Sequence, residues 1–335
     1  MGGSGSVTKL RRGQTPLRHE GPTEVARSIR HMTAAYRPSG LLAPIVTPFG
    51  EDGAVDIDAL ERLGAELLDA GATALIALST TGEPTSLDAE ERREVVAAIA
   101  RVCADRDADL VVGAGTNDTR TTIERHAALA DVGGVSASLA VVPYYVRPTE
   151  AAIVAHFQAV AERSPVPLII YNVPYRTGRG LGAAALLELA DTDNIAGLKQ
   201  AVGSLDADTL TVLAEAGERF AVLGGDDAFL FPTMLMGGAG AVAAAAHLCT
   251  ERFVAMLADG AAGRVAEGRA HAEALLPLVR ALFAEPNPAV VKALLHAEGR
   301  IPTPALRMPM APASPAALER AQAALAAVPA FAMGG

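Results

Sequence analysis

The segment PLIIYNVPYRTG, residues 167–178, and the segment NIAGLK, residues 194–199, together decide the fold. Leu168-Ile169-Ile170 is a short apolar run that ends in Tyr171-Asn172, and Ile195-Ala196-Gly197-Leu198 is a second that ends in Lys199. The stretch from Leu181 to Asp191 between them reads as a helix. Two short buried strands around one helix make a βαβ unit. In such units ligands sit beyond the carboxyl ends of the strands. Tyr171 and Lys199 are therefore expected to face one site.

Composition sharpens this expectation. The 28 basic residues include only three lysines, Lys9, Lys199 and Lys292; every other is arginine. A lysine at the end of an apolar strand points to chemistry that arginine cannot do, because a desolvated amine can lose its proton and attack a carbonyl. The alternative is a salt-bridged lysine on the rim, with Tyr171 as a packed aromatic. Tyrosine is scarce as well: four of the five fall in Tyr144-Tyr145 and in Tyr171 and Tyr175.

The same pattern extends outward. Apolar runs recur at Leu41–Val46, Ala74–Leu78, Leu110–Gly113, Val135–Val142, Leu168–Ile170, Ile195–Leu198, Phe220–Leu223 and Ala241–Ala246. Amphipathic segments separate them, among them Asp56–Ala70, Asp88–Ala104, Thr119–Asp131 and Glu150–Glu162. Asp88-Ala89-Glu90-Glu91 has the form of a capping box. Strands that alternate with helices and are apolar throughout predict an α/β fold, a (β/α)8 TIM barrel; a doubly wound sheet is the alternative. After Leu248 only helical segments follow, Glu251–Asp259, Gly263–Phe283, Pro288–Glu298 and Ser314–Ala327, a C-terminal helical extension. The expected division is a disordered extension over 1–38, a barrel over 39–250 and a helical region over 251–330.

Bulk properties exclude several classes. At 335 residues, half of them hydrophobic, the chain can bury a full core. A formal charge of −10 argues against nucleic acid as a partner. Cys103 and Cys249 lie far apart without metal-ligand spacing, which fits a reducing, cytoplasmic setting. No apolar run reaches the roughly 18 residues of a membrane span. The first 38 residues hold seven basic and two acidic side chains. Arg11-Arg12 is not followed by an apolar segment, so it does not read as an export signal.

In a barrel, chemistry belongs at the carboxyl ends of the strands. Those ends supply Thr47-Pro48-Phe49, Ser79-Thr80-Thr81-Gly82-Glu83, Gly113 to Asn117, Pro143-Tyr144-Tyr145, Tyr171-Asn172 with Arg176-Thr177-Gly178, Lys199, and Gly224-Gly225-Asp226-Asp227. The set holds one nucleophilic amine, several phenols and hydroxyls, and an arginine suited to a carboxylate. His247 is expected to be structural. Asp226-Asp227 is expected to cap the following helix rather than to hold a metal, and Gly237-Gly238-Ala239-Gly240 to stop a helix rather than to cradle phosphate.

Ser79-Thr80-Thr81-Gly82-Glu83, Pro143-Tyr144-Tyr145, Tyr171-Asn172-Val173-Pro174 with Arg176-Thr177-Gly178, and Gly197-Leu198-Lys199 resemble the dihydrodipicolinate synthase branch of the class I pyruvate-dependent aldolases and lyases, the superfamily that includes N-acetylneuraminate lyase. The resemblance runs from about Gly40 to Ala327 and takes in Glu285-Pro286-Asn287-Pro288, Lys292 and Leu306 to Met310. It implies condensation of pyruvate with aspartate semialdehyde, with no metal or organic cofactor. It implies that Lys199 forms the Schiff base, that Tyr171 shuttles protons, and that Thr81 and Tyr145 complete the relay, Tyr145 coming from a neighbouring subunit. Thr80 and Thr81 are implied to hold the pyruvate carboxylate and Arg176 that of the acceptor, with Gly225 and the carbonyl of Val242 lining the pocket. It also implies a homotetramer built from tight dimers. Ser79, Tyr175 and Gln200 depart from the family, which favours Gly, a small residue and Glu at these places. Tyr175 and Ser79 motivate a second reading, the same chemistry on another aldehyde or sugar acid. A catalytically silent metabolite-binding homologue is the third.

Overall fold

The computed structural model describes residues 1–3 and 36–331. Apart from residues 1–3 and 36–38, the basic extension lies outside the described residues. Eight parallel strands close into a barrel in sequence order: β1 Gly40–Pro44, β2 Ala74–Ala77, β3 Asp109–Gly113, β4 Val135–Val141, β5 Leu168–Asn172, β6 Ile195–Gln200, β7 Ala221–Gly224 and β8 Gly240–Val242, which returns to β1. The helices between them are α1 Ile57–Asp69, α2 Ala89–Ala104, α3 Thr119–Ala127, α4 Glu150–Arg163, α5 Ala183–Ala190, α6 Ala207–Glu215 and α7 Leu230–Leu235, with α8 Thr250–Ala261 after β8. The fold is the expected (β/α)8 barrel. None of its described helices is long and apolar enough to cross a membrane.

Local chemistry fixes the helix starts. Asp56 accepts from the Ala59 amide, and Asp88 closes a capping box with Glu91. Asp118, Thr149 and Asp206 cap α3, α4 and α6 in the same way. Each cap satisfies amides that the first helical turn leaves open, typically for about 1 kcal/mol. Strand side chains alternate across the barrel wall. Leu168 and Ile170 of β5 point outward to α4 and α5, while Ile169 and Tyr171 point inward to meet Leu42, Ile76, Val111 and Leu223. Leu60, Leu63 and Leu67 on one face of α1 are fully buried against the barrel. Each such leucine contributes roughly 2 kcal/mol.

The last strand is shorter than its apolar run. It stops at Val242, and Ala245–His247 form a tight helical turn. Two polar contacts bend the chain there. Asp227 accepts the Ala245 amide at 2.7 Å, and His247 Nε2 accepts the Val46 amide at 3.2 Å. His247 Nδ1 donates to the Ala244 carbonyl, and burial pushes the imidazole down to about 4. It is a neutral structural residue, as expected. Gly237, with φ of +98°, ends the turn after α7.

Three further helices follow, α9 Val265–Leu282, α10 Ala289–Ala297 and α11 Pro315–Ala326. Leu278, Leu282, Val290 and Leu294 join the same apolar cluster as the outer faces of β1 and β2. The segment between α9 and α10 thereby reaches the barrel mouth.

Candidate active site

Tyr171 and Lys199 are direct register partners across the β5–β6 ladder, one residue short of the strand ends. Parallel partners project to the same side of a sheet, and here that side is the barrel interior. The Lys199 Nζ lies 4.1 Å from the centre of the Tyr171 ring. Both side chains are 6% exposed. They open into a cavity of about 390 Å³ at the carboxyl end of the barrel. Gly225 closes one wall. A Cβ there would stand 2.9 Å from both the Gln200 carbonyl oxygen and Lys199 Cγ, so only glycine lets the end of β7 pass this close to the lysine stem.

Burial dominates the electrostatics. It pulls the Lys199 amine down to about 8, against the opposing pull of Asp227 and Asp226. It pushes the Asp227 carboxyl up to about 7, held in check by the Ala245 amide and by Lys199. The Tyr171 phenol is pushed up by burial and drawn back by the Arg176 charge and a hydrogen bond with Thr80. An amine that gives up its proton more readily than a free lysine, a phenol beside a threonine hydroxyl and a buried carboxyl thus share one space. Such a set can attack a carbonyl and move the protons that follow.

Thr80, Thr81, Arg176, Gly225 and Val242 all line this cavity with the pair. The two threonines have different neighbours. Thr80 meets the Tyr171 phenol, whereas the Thr81 hydroxyl accepts from Asn287 Nδ2 at 3.0 Å. The helical turn over Thr80–Gly82 rotates successive side chains to different sides. Tyr145 stands apart: it is 86% exposed, has φ of +70°, and lines neither this cavity nor the adjoining one of about 510 Å³. Arg176 donates from Nε to the Tyr175 hydroxyl at 3.0 Å.

The acid pair Asp226-Asp227 does not cap a helix. Asp226 accepts the Gly203 amide and Asp227 the Ala245 amide, so each ties two strand-end loops together. Among the described residues no group of three metal-ligating side chains forms. Sequence reasoning missed Asn287 and the nearness of Asp227 to Lys199. The Asn287 motif was visible, but nothing local to it pointed at Thr81, 206 positions away. Ser79, buried with its hydroxyl unpartnered, lines the adjoining cavity.

Fold and site together define the class: a (β/α)8 barrel whose pocket is built around one buried lysine. Residues 37–328 match the dihydrodipicolinate synthetase family. The chain is 39% identical over 285 residues to a 4-hydroxy-tetrahydrodipicolinate synthase of Moorella thermoacetica, a match that takes in 85% of this chain and 96% of that protein. The dihydrodipicolinate synthase of Acinetobacter baumannii, chloride-inhibited and complexed with pyruvate, is 34% identical with a TM-score of 0.83, covering 87% of this chain and 98% of that one. A dihydrodipicolinate synthase variant described as monomeric is 32% identical with the same TM-score of 0.83, over 87% of this chain and 96% of the other. The chain belongs to the dihydrodipicolinate synthetase family.

Proposed function

We propose that this protein condenses pyruvate with aspartate 4-semialdehyde to give 4-hydroxy-tetrahydrodipicolinate, in lysine and diaminopimelate biosynthesis. The observation that carries the proposal is the buried Tyr171–Lys199 register pair, with Nζ 4.1 Å from the ring. The Lys199 amine attacks C2 of pyruvate, and loss of water leaves a protonated imine. The imine acidifies the methyl group, which gives up a proton to form an enamine. The enamine carbon attacks the aldehyde carbon, and the aldehyde oxygen takes a proton. The amino group of the acceptor then displaces Lys199 from C2 and closes the ring.

Tyr171 moves these protons. Thr80 is the hydroxyl that couples to it, in place of Thr81, and Thr81 with the turn amides receives the pyruvate carboxylate. Tyr145 completes the relay from a neighbouring copy, because it lines neither cavity of its own chain. The assembly that follows is at least a dimer, and a dimer of dimers on the family pattern. Cys103 and Cys249 are both free, which supports a cytoplasmic setting.

The test is turnover of purified protein with both substrates, coupled to reduction of the product. Robust turnover establishes the synthase. A pH profile checks the nucleophile independently. At pH 7 an amine with a pKa near 8 is neutral about a tenth of the time, against roughly one part in three thousand for an unperturbed lysine. Borohydride capture of pyruvate on the protein is expected to rise with pH through a midpoint near 8. A midpoint above about 10 would show that the amine is not desolvated.

Arg176 binds the acceptor carboxylate as a planar donor. Arg176→Ala is expected to raise the KM for the semialdehyde by roughly thirtyfold, about 2 kcal/mol, with the KM for pyruvate within threefold of wild type. Equal effects on both substrates would move the acceptor site elsewhere. One feature favours a second reading, in which another aldehyde is the acceptor. Tyr175 both receives the Arg176 hydrogen bond and lies under its guanidinium at 5.0 Å, so it narrows access to that arginine. Capture of pyruvate without turnover of the semialdehyde would select that reading.

A further inference from the structure

Lys292 is a charged group that the proposed chemistry does not use, in a chain where lysine is rare. It sits on α10 and is fully buried. Its Nζ donates to Glu83 Oε1 and to the Thr47 carbonyl, both at 2.9 Å, and lies 4.1 Å from the centre of the Phe49 ring. The second Glu83 oxygen accepts the Arg307 amide at 3.2 Å. Glu83 directly follows the Thr80–Gly82 turn, with φ of +51°. Left-handed backbone at a residue other than glycine persists only when its surroundings hold it there.

Two more contacts grip the same turn. Thr47 Oγ1 donates to the Gly82 carbonyl at 2.8 Å, and Asn287 Nδ2 donates to Thr81 Oγ1 at 3.0 Å. Thus three of the four anchors of a five-residue strand end come from residues 287, 292 and 307, beyond the barrel.

We propose that the Lys292–Glu83 ion pair is a positioning device: it sets the Thr80-Thr81 turn from the C-terminal helices and thereby controls how tightly pyruvate is held. The proposal rests on the reading of this turn as the pyruvate-carboxylate site. Stability alone is a poor reason for the pair. A buried ion pair commonly breaks even against apolar residues of the same volume, whereas losing one partner strands the other charge. Its bonds are directional, however, and a charge-assisted bond to Glu83 fixes where the turn ends. Lysine suits the place because a compact ammonium fits between a carboxylate, a carbonyl and a ring face, where a planar guanidinium demands more room. Asn287 and Lys292 lie on one short segment, so the tail holds the turn at two points.

Three full-length variants test this: Lys292→Met, Glu83→Gln, and both together. Two readouts are needed. One is borohydride capture of pyruvate on Lys199 as a function of pyruvate concentration. The other is hydrogen exchange of the Gly82 and Glu83 amides in ligand-free protein. Each single variant is expected to need at least about tenfold more pyruvate for half-maximal capture, with capture at saturation and the aldehyde KM within about twofold of wild type. The two amides are expected to exchange faster while the barrel strands keep their protection. The double variant, left with no stranded charge, is expected to regain thermal stability but not pyruvate affinity. Recovery of both would overturn the proposal, as would wild-type pyruvate affinity in either folded single variant. If Lys292→Met does not fold, Glu83→Gln and the double variant decide it. Should the wild-type protein fail to capture pyruvate, the functional reading falls. The exchange measurement then decides separately whether the pair sets the turn, and unchanged Gly82 and Glu83 protection would refute it.

Discussion

Replacing Lys199 by alanine is expected to abolish turnover, lowering kcat/KM by about 10⁴-fold or more, and to abolish borohydride capture of pyruvate entirely. The magnitude follows from the role: without the amine there is no imine, and no neighbouring group supplies one. A factor of 10⁴ corresponds to about 5.5 kcal/mol of transition-state stabilisation. The fold is expected to survive. Lys199 is 6% exposed, and burial pulls its amine down toward the neutral form, so removing the amine relieves a cost. Thermal unfolding and far-UV circular dichroism close to wild type, together with lost capture, assign the nucleophile. Lys199→Arg sharpens the result. It keeps the charge but cannot supply a neutral amine near pH 8, and it is expected to be as inactive as alanine. Substantial capture by either variant would place the nucleophile elsewhere; Lys292, fully buried behind the Thr80–Gly82 turn, lines neither cavity.

The second large effect is expected at Tyr171. Tyr171→Phe removes one oxygen and leaves the ring that packs against Lys199 at 4.1 Å. Loss of a positioned proton-transfer group typically costs 10²–10⁴-fold, and a fall in kcat of about 10³-fold is expected. Capture of pyruvate should persist, because the amine remains, but should become slow. The hydroxyl that draws the Tyr171 phenol back down, favouring its phenolate, is that of Thr80, so Thr80→Val is expected to reproduce part of the loss, about tenfold to a hundredfold, and Thr81→Val less. A Tyr171→Phe enzyme within threefold of wild type would show that another group carries the proton. Asp227, buried and pushed up to about 7, would then be the first candidate.

Much of this was legible beforehand, for identifiable reasons. Apolar runs of three to eight residues without alternation, separated by helical segments, read as strands buried on both faces of a parallel sheet, and eight such runs favoured the barrel over a doubly wound sheet. Helix starts were readable because a cap is a local device: Asp56, Asp88 and Ser314 each bond an amide within three residues. The joint position of Tyr171 and Lys199 was readable because each ends an apolar run, and the ladder makes them neighbours. The local signals failed where a distant partner outcompeted the near one. Asp226 and Asp227 have the form of a cap, yet they bond amides at 203 and 245. The apolar run after Val242 has the form of a strand, yet His247 is drawn to the Val46 amide and the chain turns.

The sequence by itself determined the element order, strand ends that line the cavity, and the lysine–tyrosine pair among them. These depend on periodicity and on residue type within a few positions, which is information that the chain carries locally. Only the tertiary structure decided which threonine meets Tyr171, that Tyr145 stands outside both cavities of its own chain, and that Asn287 and Lys292 anchor the Thr80–Gly82 turn. A threonine's direction depends on the rotation of one short helical turn. That turn is held by groups more than two hundred residues away, whose bonds no local pattern encodes. The same closure explains the shifted amine. Leu198-Lys199 reads as apolar and then basic, and it is the folded barrel that excludes water from Lys199 and pulls its amine down to about 8.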